Sequence, residues 1–185
     1  IGNLTLIDGD VFEHSNLNRQ LLSEEGLIGF SKAQAAKDRV NAINSDVIVN
    51  HLAEYVDESN LYDRIKNGDV VMDCLDSIST RFKLQKAAKK ASIPIVSGAI
   101  AGVAGQVTVI FPGDKGYELI YGKKGGKQSE GVETKTGNIA YCAFLVAALQ
   151  SSECLKVLLD RGDILRNKLL IAELWTNTFD IVDLL

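Results

Sequence analysis

Apolar and polar positions follow one another along this chain in a strand–helix order. Leu4 to Ile7 is a short apolar run that stops at Asp8-Gly9, which predicts a strand over residues 4–8 ending on a carboxylate. Residues 9–31 are polar and aperiodic, a long connection with short helical turns at most, and Ser31 stands where a helix cap is expected. From Lys32 to Asn44, Ala33, Ala35, Ala36, Val40, Ala42 and Ile43 recur at helical spacing. Val47 to Glu54 alternates as a strand, Glu58 to Lys66 reads as a short helix closed by Asn67-Gly68, and residues 69–74 form an apolar strand ending on carboxylates. A basic amphipathic helix follows over 79–91, then strands over 94–98 and 105–111. Residues 113–136 lose apolar periodicity and read as a long mobile loop, ordering on partner binding. Asn138 to Leu159 is the longest helix, apolar enough to be largely buried, and residues 169–174 and 179–184 are two antiparallel strands.

Alternation first and paired strands last predict an α/β chain, with a mixed sheet flanked by helices and antiparallel strands at its C-terminal end. At 185 residues the chain can build one sizeable core, so a single domain over 1–185 is expected. With 20 Lys and Arg against 24 Asp and Glu, the formal charge is -4, which disfavours nucleic acid as the main partner. Cys74, Cys142 and Cys154 are widely spaced with no CxxC, which argues for a reducing, cytoplasmic setting and against disulfides or structural zinc. The apolar stretch at 139–149 is too short and mixed for a membrane span.

The stretch after the first strand carries the candidate chemistry. In an open parallel sheet, ligands sit beyond the carboxyl ends of strands, where a carboxylate such as Asp8 can bind a ribose and an arginine such as Arg19 can reach phosphates. A lysine at a helix start, as Lys32, opposes the helix dipole and needs a reason, and an anionic ligand would be one. His14 and His51 lack metal-like spacing and read as structural or surface residues. The basic face 81–90, Arg81 with Lys83, Lys86, Lys89 and Lys90, reads as a solvated helix face, and Gly122 to Lys127 lacks the ending of a phosphate loop.

Asp8-x-Asp10, then Asn16-x-x-Arg19-Gln20, Lys32 after Gly29, Asp73-Cys74-Leu75-Asp76, Arg81, Val96-Ser97-Gly98-Ala99 and Gly105-Gln106-Val107-Thr108-Val109 fall in one order. In that order they resemble the HesA/MoeB/ThiF family, the adenylating fold shared with ubiquitin-activating enzymes. The resemblance implies a Rossmann-like sheet, of which the N-terminal strand and glycine-rich loop lie outside this chain. It implies ATP and Mg2+, and adenylation of the C-terminal glycine of a ubiquitin-like or sulfur-carrier protein ending in Gly-Gly. By position, Asp8 would bind the ribose, and Asn16, Arg19 and Lys32 would contact phosphates with Gln20 in support. Asp10 belongs to the same nucleotide-binding set, Asp76 would hold magnesium, and Gly98 would admit the substrate tail. Arg19, Lys32 and Asp76 would carry catalysis. The resemblance and the long apolar helix together imply a homodimer.

The family's zinc cysteines are absent after Phe111 and near the C-terminus, so zinc is not supported, and residues 113–136 hold no cysteine for thioester chemistry. Two alternatives use the same residues: an ATP-dependent tRNA-modifying dehydratase of the superfamily, and a non-catalytic module binding a ubiquitin-like partner. A dinucleotide-dependent oxidoreductase would also use an acidic strand end, but leaves the amide–arginine–glutamine run and Asp73-x-x-Asp76 unexplained.

Overall fold

The computed structural model describes residues 1–123 and 137–185, and the chain folds as two compact units, Ile1–Val56 and Asp57–Leu185. In the first unit, β1 (Asn3–Ile7) and β2 (Ile48–Leu52) pair in parallel, Asn3 against Ile48 through Ile7 against Leu52. Parallel pairing needs a crossover, supplied by α1 (Lys32–Ile43). The Ser31 hydroxyl accepts from the Gln34 N–H at 3.4 Å and so caps α1 at the expected residue.

The polar connection before α1 folds back on itself. Two short 3-10 turns, His14–Asn16 and Glu25–Leu27, carry it, and Phe12, 2 % exposed, closes its neck. The Phe12 N–H donates to the Phe30 carbonyl at 2.9 Å, and the Lys32 N–H donates to the Asp10 carbonyl at 3.1 Å. This closure brings the start of α1 to the end of β1.

In the second unit, α2 (Leu61–Ile65) is shorter than the helix read over 58–66, because residues 58–60 form a turn instead. The five-stranded sheet runs in the order β3 (Val71–Asp73), β4 (Ile95–Ala101), β5 (Ala104–Ile110), β6 (Lys168–Glu173), β7 (Thr178–Asp183). The first pair is parallel and the other three are antiparallel. Between β3 and β4 runs α3 (Ile78–Ala91), its start capped by the Ser77 hydroxyl. The mixed α/β sheet flanked by helices therefore stands, with its antiparallel strands where the pattern placed them.

Two readings of the pattern need correction. Residues 113–136 are not loop throughout: α4 (Tyr117–Tyr121) lies within them, too short to show periodicity. Residues 124–136, including most of the glycine–lysine run, fall outside the described residues. The long helix α5 (Ala140–Leu159) is not largely buried; it is buried on one side only. Cys142, Val146, Gln150 and Cys154 face the β4–β5 sheet, with Glu153 buried beside them. Tyr141, Phe144, Leu155, Leu158 and Leu159 stay exposed on the outer side. At 20 residues α5 is also long and apolar enough to cross a bilayer by length and composition, which the shorter stretch 139–149 had hidden. Its inner side is set into protein: Gln150 donates to the Asp73 and Val96 carbonyls, and Glu153 accepts from the Leu165 N–H at 2.9 Å.

Close approach of α5 depends on glycine. A β-carbon on Gly98 would stand 2.3 Å from Cδ of Gln150, and one on Gly105 2.3 Å from a methyl of Val146. The core that forms there holds Val96, Val107, Val109, Val146, Cys154 and Leu165.

Candidate active site

Asp8 follows β1 directly and is half-buried. Its Oδ1 accepts the Asp10 N–H at 2.8 Å, an Asx turn that bends the chain away from the strand end. Asp10 is exposed, but its carboxylate is engaged on both oxygens. Oδ2 pairs with Lys32 Nζ at 2.9 Å, and Oδ1 accepts the Tyr55 phenol at 2.8 Å. Donation from Lys32, then from Tyr55, holds the Asp10 carboxyl below its ordinary value. The anion beside Lys32 at its helix start is therefore a carboxylate of the chain itself, Asp10, and the dipole argument does not by itself call for a ligand.

Asn16 is 5 % exposed, and its side-chain oxygen accepts the Glu13 N–H at 3.0 Å. That atom shapes the turn. Arg19 is half-exposed and folds onto its own loop, with Nη1 donating to the Ser15 carbonyl at 2.6 Å and to Asn18 Oδ1 at 3.0 Å. Gln20 is half-buried, and its carbonyl accepts the Ser23 hydroxyl at 2.6 Å. Within this unit the fold brings Asp8, Asp10 and Lys32 together through one salt bridge and one turn. It sets Asn16, Arg19 and Gln20 on the neighbouring loop.

The second unit places Asp76 three residues beyond β3, exposed, with a dense buried cluster behind it. Asp73, 0 % exposed, accepts the Leu75 N–H at 2.9 Å on one oxygen. Its other oxygen accepts the Ser97 hydroxyl at 2.8 Å and the Tyr117 phenol, and pairs with Arg81 at 3.2 Å. Arg81 also donates to the Leu75 and Gly98 carbonyls, and at 4 % exposed it is not part of a solvated face as the basic run 81–90 suggested, because the Asp73 charge draws it inward. Three donors and a cation saturate the carboxylate, so a charge that would be costly in isolation is compensated. The turn carrying Asp76 is thereby tied at Leu75 to the strand behind it.

Tyr55, Tyr117 and Gln150 escaped the sequence reading, and Ser97 entered it only as a motif position without a role. No local signal could have found them, since each contact spans 24 to 77 residues. Gly98 was read as room for a substrate tail, but its empty β-position faces Gln150 and Val146, so packing of α5 accounts for the glycine. Cys74 is exposed, and burial pushes the thiols of Cys142 and Cys154 up. Among the described residues no group of three or more His, Cys, Asp or Glu side chains could hold a metal.

The sequence matches the ThiF family over residues 1–184. It is 32 % identical over 182 residues to the SAMP-activating enzyme E1 of Haloferax volcanii, covering 98 % of this chain and 67 % of that protein. It is 30 % identical over 181 residues to the molybdopterin-synthase adenylyltransferase of Escherichia coli, covering 97 % and 72 %. The fold is similar to the crystal structure of E. coli MccB with ATP, with a TM-score of 0.78 and 21 % identity over the whole of this chain. This chain spans 57 % of that solved chain.

Proposed function

Because the chain belongs to the ThiF family, we propose that it is all or part of an enzyme that uses ATP to adenylate a ubiquitin-like or sulfur-carrier protein at its C-terminal glycine. The observation that carries the reading is the cluster at the end of β1: a strand-end carboxylate, Asp8, with a part-buried lysine held 2.9 Å from Asp10 two residues on. A ribose hydroxyl and a phosphate chain are the chemistry such a pair fits. The names of the two relatives, an activating enzyme and an adenylyltransferase, and the ATP in the MccB structure support it.

In the proposed reaction the carrier's terminal carboxylate oxygen attacks the α-phosphorus, a mixed anhydride forms, and the bond to pyrophosphate breaks. Two anions must approach, so the site has to supply positive charge and hold both reactants in line. Lys32 supplies a mobile point charge and Arg19 a planar fork once it leaves the Ser15 carbonyl. Asp8 orients the ribose, and Asn16 and Gln20 hold the loop in register. No enzyme nucleophile is required.

Magnesium fits the exposed carboxylate of Asp76, since this ion is commonly held by one or two carboxylates and completed by phosphate oxygens and water. Bound there, it would supply a divalent positive charge. A cytoplasmic setting is part of the same proposal, supported by the wide spacing of Cys74, Cys142 and Cys154 with no CxxC pair. A second copy of the chain is the further partner we propose. The outer face of α5 presents Tyr141, Phe144, Leu155 and Leu158 at spacings of three, eleven and three residues, one side of a helix. Sedimentation of the full-length protein, with Phe144→Glu as control, checks this: a dimer that the charge dissociates is expected.

ATP–pyrophosphate exchange on the full-length protein, with Mg2+ and candidate carriers added singly, tests the function. Exchange that requires one carrier and is lost in Asp76→Ala is expected. Absence of exchange with every carrier, together with no ATP binding, would overturn the reading. Exchange stimulated by tRNA instead would move it to the dehydratase branch.

A further inference from the structure

Tyr55 is 74 % exposed, yet its position is closely defined. Its ring lies flat against Gly9, where an added β-carbon would stand 2.7–2.8 Å from three ring atoms. From there its phenol reaches Asp10 Oδ1 at 2.8 Å, while Lys32 holds Oδ2 at 2.9 Å. Burial does not explain this placement, because most of the ring remains in water. The hydrogen bond to a carboxylate that also carries the lysine does.

We propose that Tyr55 is a positioning residue for nucleotide binding: through Asp10 it holds Lys32 in place to receive the phosphates of ATP. The proposal rests on the adenylation reading given above. A lysine side chain surrenders considerable rotamer freedom when it is fixed on an anion. Fixing it beforehand reduces what binding must spend on order. Asp10 alone could turn away with Lys32. With one oxygen anchored to Tyr55, the carboxylate keeps its orientation, and it keeps a donor when Lys32 moves across to a phosphate. The ionisation behaviour is consistent with that arrangement. The neighbouring Asp10 carboxylate pushes the Tyr55 phenol up from its ordinary value, so it stays a donor.

The test is ATP binding by calorimetry and pyrophosphate-exchange kinetics on the full-length protein. Tyr55→Phe keeps the ring on Gly9 and removes only the donor. Its dissociation constant for ATP is expected to rise about three- to tenfold, the range for one lost hydrogen bond. The change should appear in KM more than in kcat, with the thermal midpoint unmoved. Gly9→Ala, which displaces the ring without altering phenol or carboxylate, is expected to weaken binding similarly. In an Asp10→Asn background, Tyr55→Phe is expected to add nothing, because the path runs through that carboxylate. If wild type binds ATP and Tyr55→Phe binds equally well, or weakens binding equally in the Asp10→Asn background, this proposal fails while adenylation stands. If wild type neither binds ATP nor exchanges pyrophosphate, the adenylation reading fails and this one with it.

Discussion

Replacing Tyr117 by phenylalanine removes one oxygen from a side chain that is 0 % exposed. The ring keeps its neighbours, Phe82 edge-on at 6.0 Å and Tyr121 at 5.9 Å, so no cavity larger than the hydroxyl opens. What is lost is one donor to the buried Asp73 carboxylate, which retains Ser97, the Leu75 N–H and Arg81. Hydrogen bonds to charged groups contribute about 1.5–3 kcal/mol net. For a chain of this size, each kcal/mol moves the melting midpoint by roughly 2–4 °C, so a drop of about 3–12 °C is expected at neutral pH by scanning calorimetry.

The alkaline limb makes the same experiment more specific. Burial first, then the Asp73 charge, raises the Tyr117 phenol well above its ordinary value of 10.0. A group whose folded pKa is raised contributes stability that is complete below the unfolded value and is lost as pH rises beyond it. Above about pH 10 the unfolded chain therefore releases a proton that the folded chain retains, and wild-type stability falls by up to about 1.4 kcal/mol per pH unit from this group. Phenylalanine has no such proton. The gap between the two proteins should narrow between about pH 10 and 11. A variant melting within 1 °C of wild type, or a gap that stays constant with pH, would refute the buried donor–carboxylate pairing.

Gly98→Ala places a methyl against Gln150 and Val146, and overpacking of this kind typically destabilises by about 1–3 kcal/mol; denaturant unfolding that matches wild type would contradict the packing of α5. Thiol titration of the native protein should count one fast-reacting cysteine, Cys74, with Cys142 and Cys154 reacting only on unfolding. Two or three fast thiols would contradict the burial of α5's inner side.

The pattern along the chain revealed most elements because each strand and helix is long enough to repeat its own period. β1, α1, α3 and β5 all lie within a few residues of where periodicity put them. Asp8 and Lys32 stood out as candidates for a related reason: they border elements, Asp8 just after β1 and Lys32 at the start of α1, while Asp76 stood out through its spacing from Asp73. α4 was missed because five residues make little more than one turn. α5 was misjudged because composition alone cannot distinguish a helix buried all round from one whose outer face is also apolar, and only the two buried polar residues, Gln150 and Glu153, mark its inner side.

What the sequence could not carry is pairing across distance, and the two clusters depend on it in the same way. Each joins an aspartate at or just beyond a strand end to a cation early in the following helix and to a distant tyrosine: Asp10 with Lys32 and Tyr55, and Asp73 with Arg81 and Tyr117. The aspartate–cation partner in each case was written in the motif. The tyrosine was not, being 45 residues away in one cluster and 44 in the other. The difference between the clusters is solvent. Asp73 is sealed, so its tyrosine contributes to stability. Asp10 is 49 % exposed at its side chain, where hydrogen bonds add little to stability and chiefly set orientation. That is why loss of the Tyr117 hydroxyl should be read in a melting curve, and loss of the Tyr55 hydroxyl in the affinity for a nucleotide.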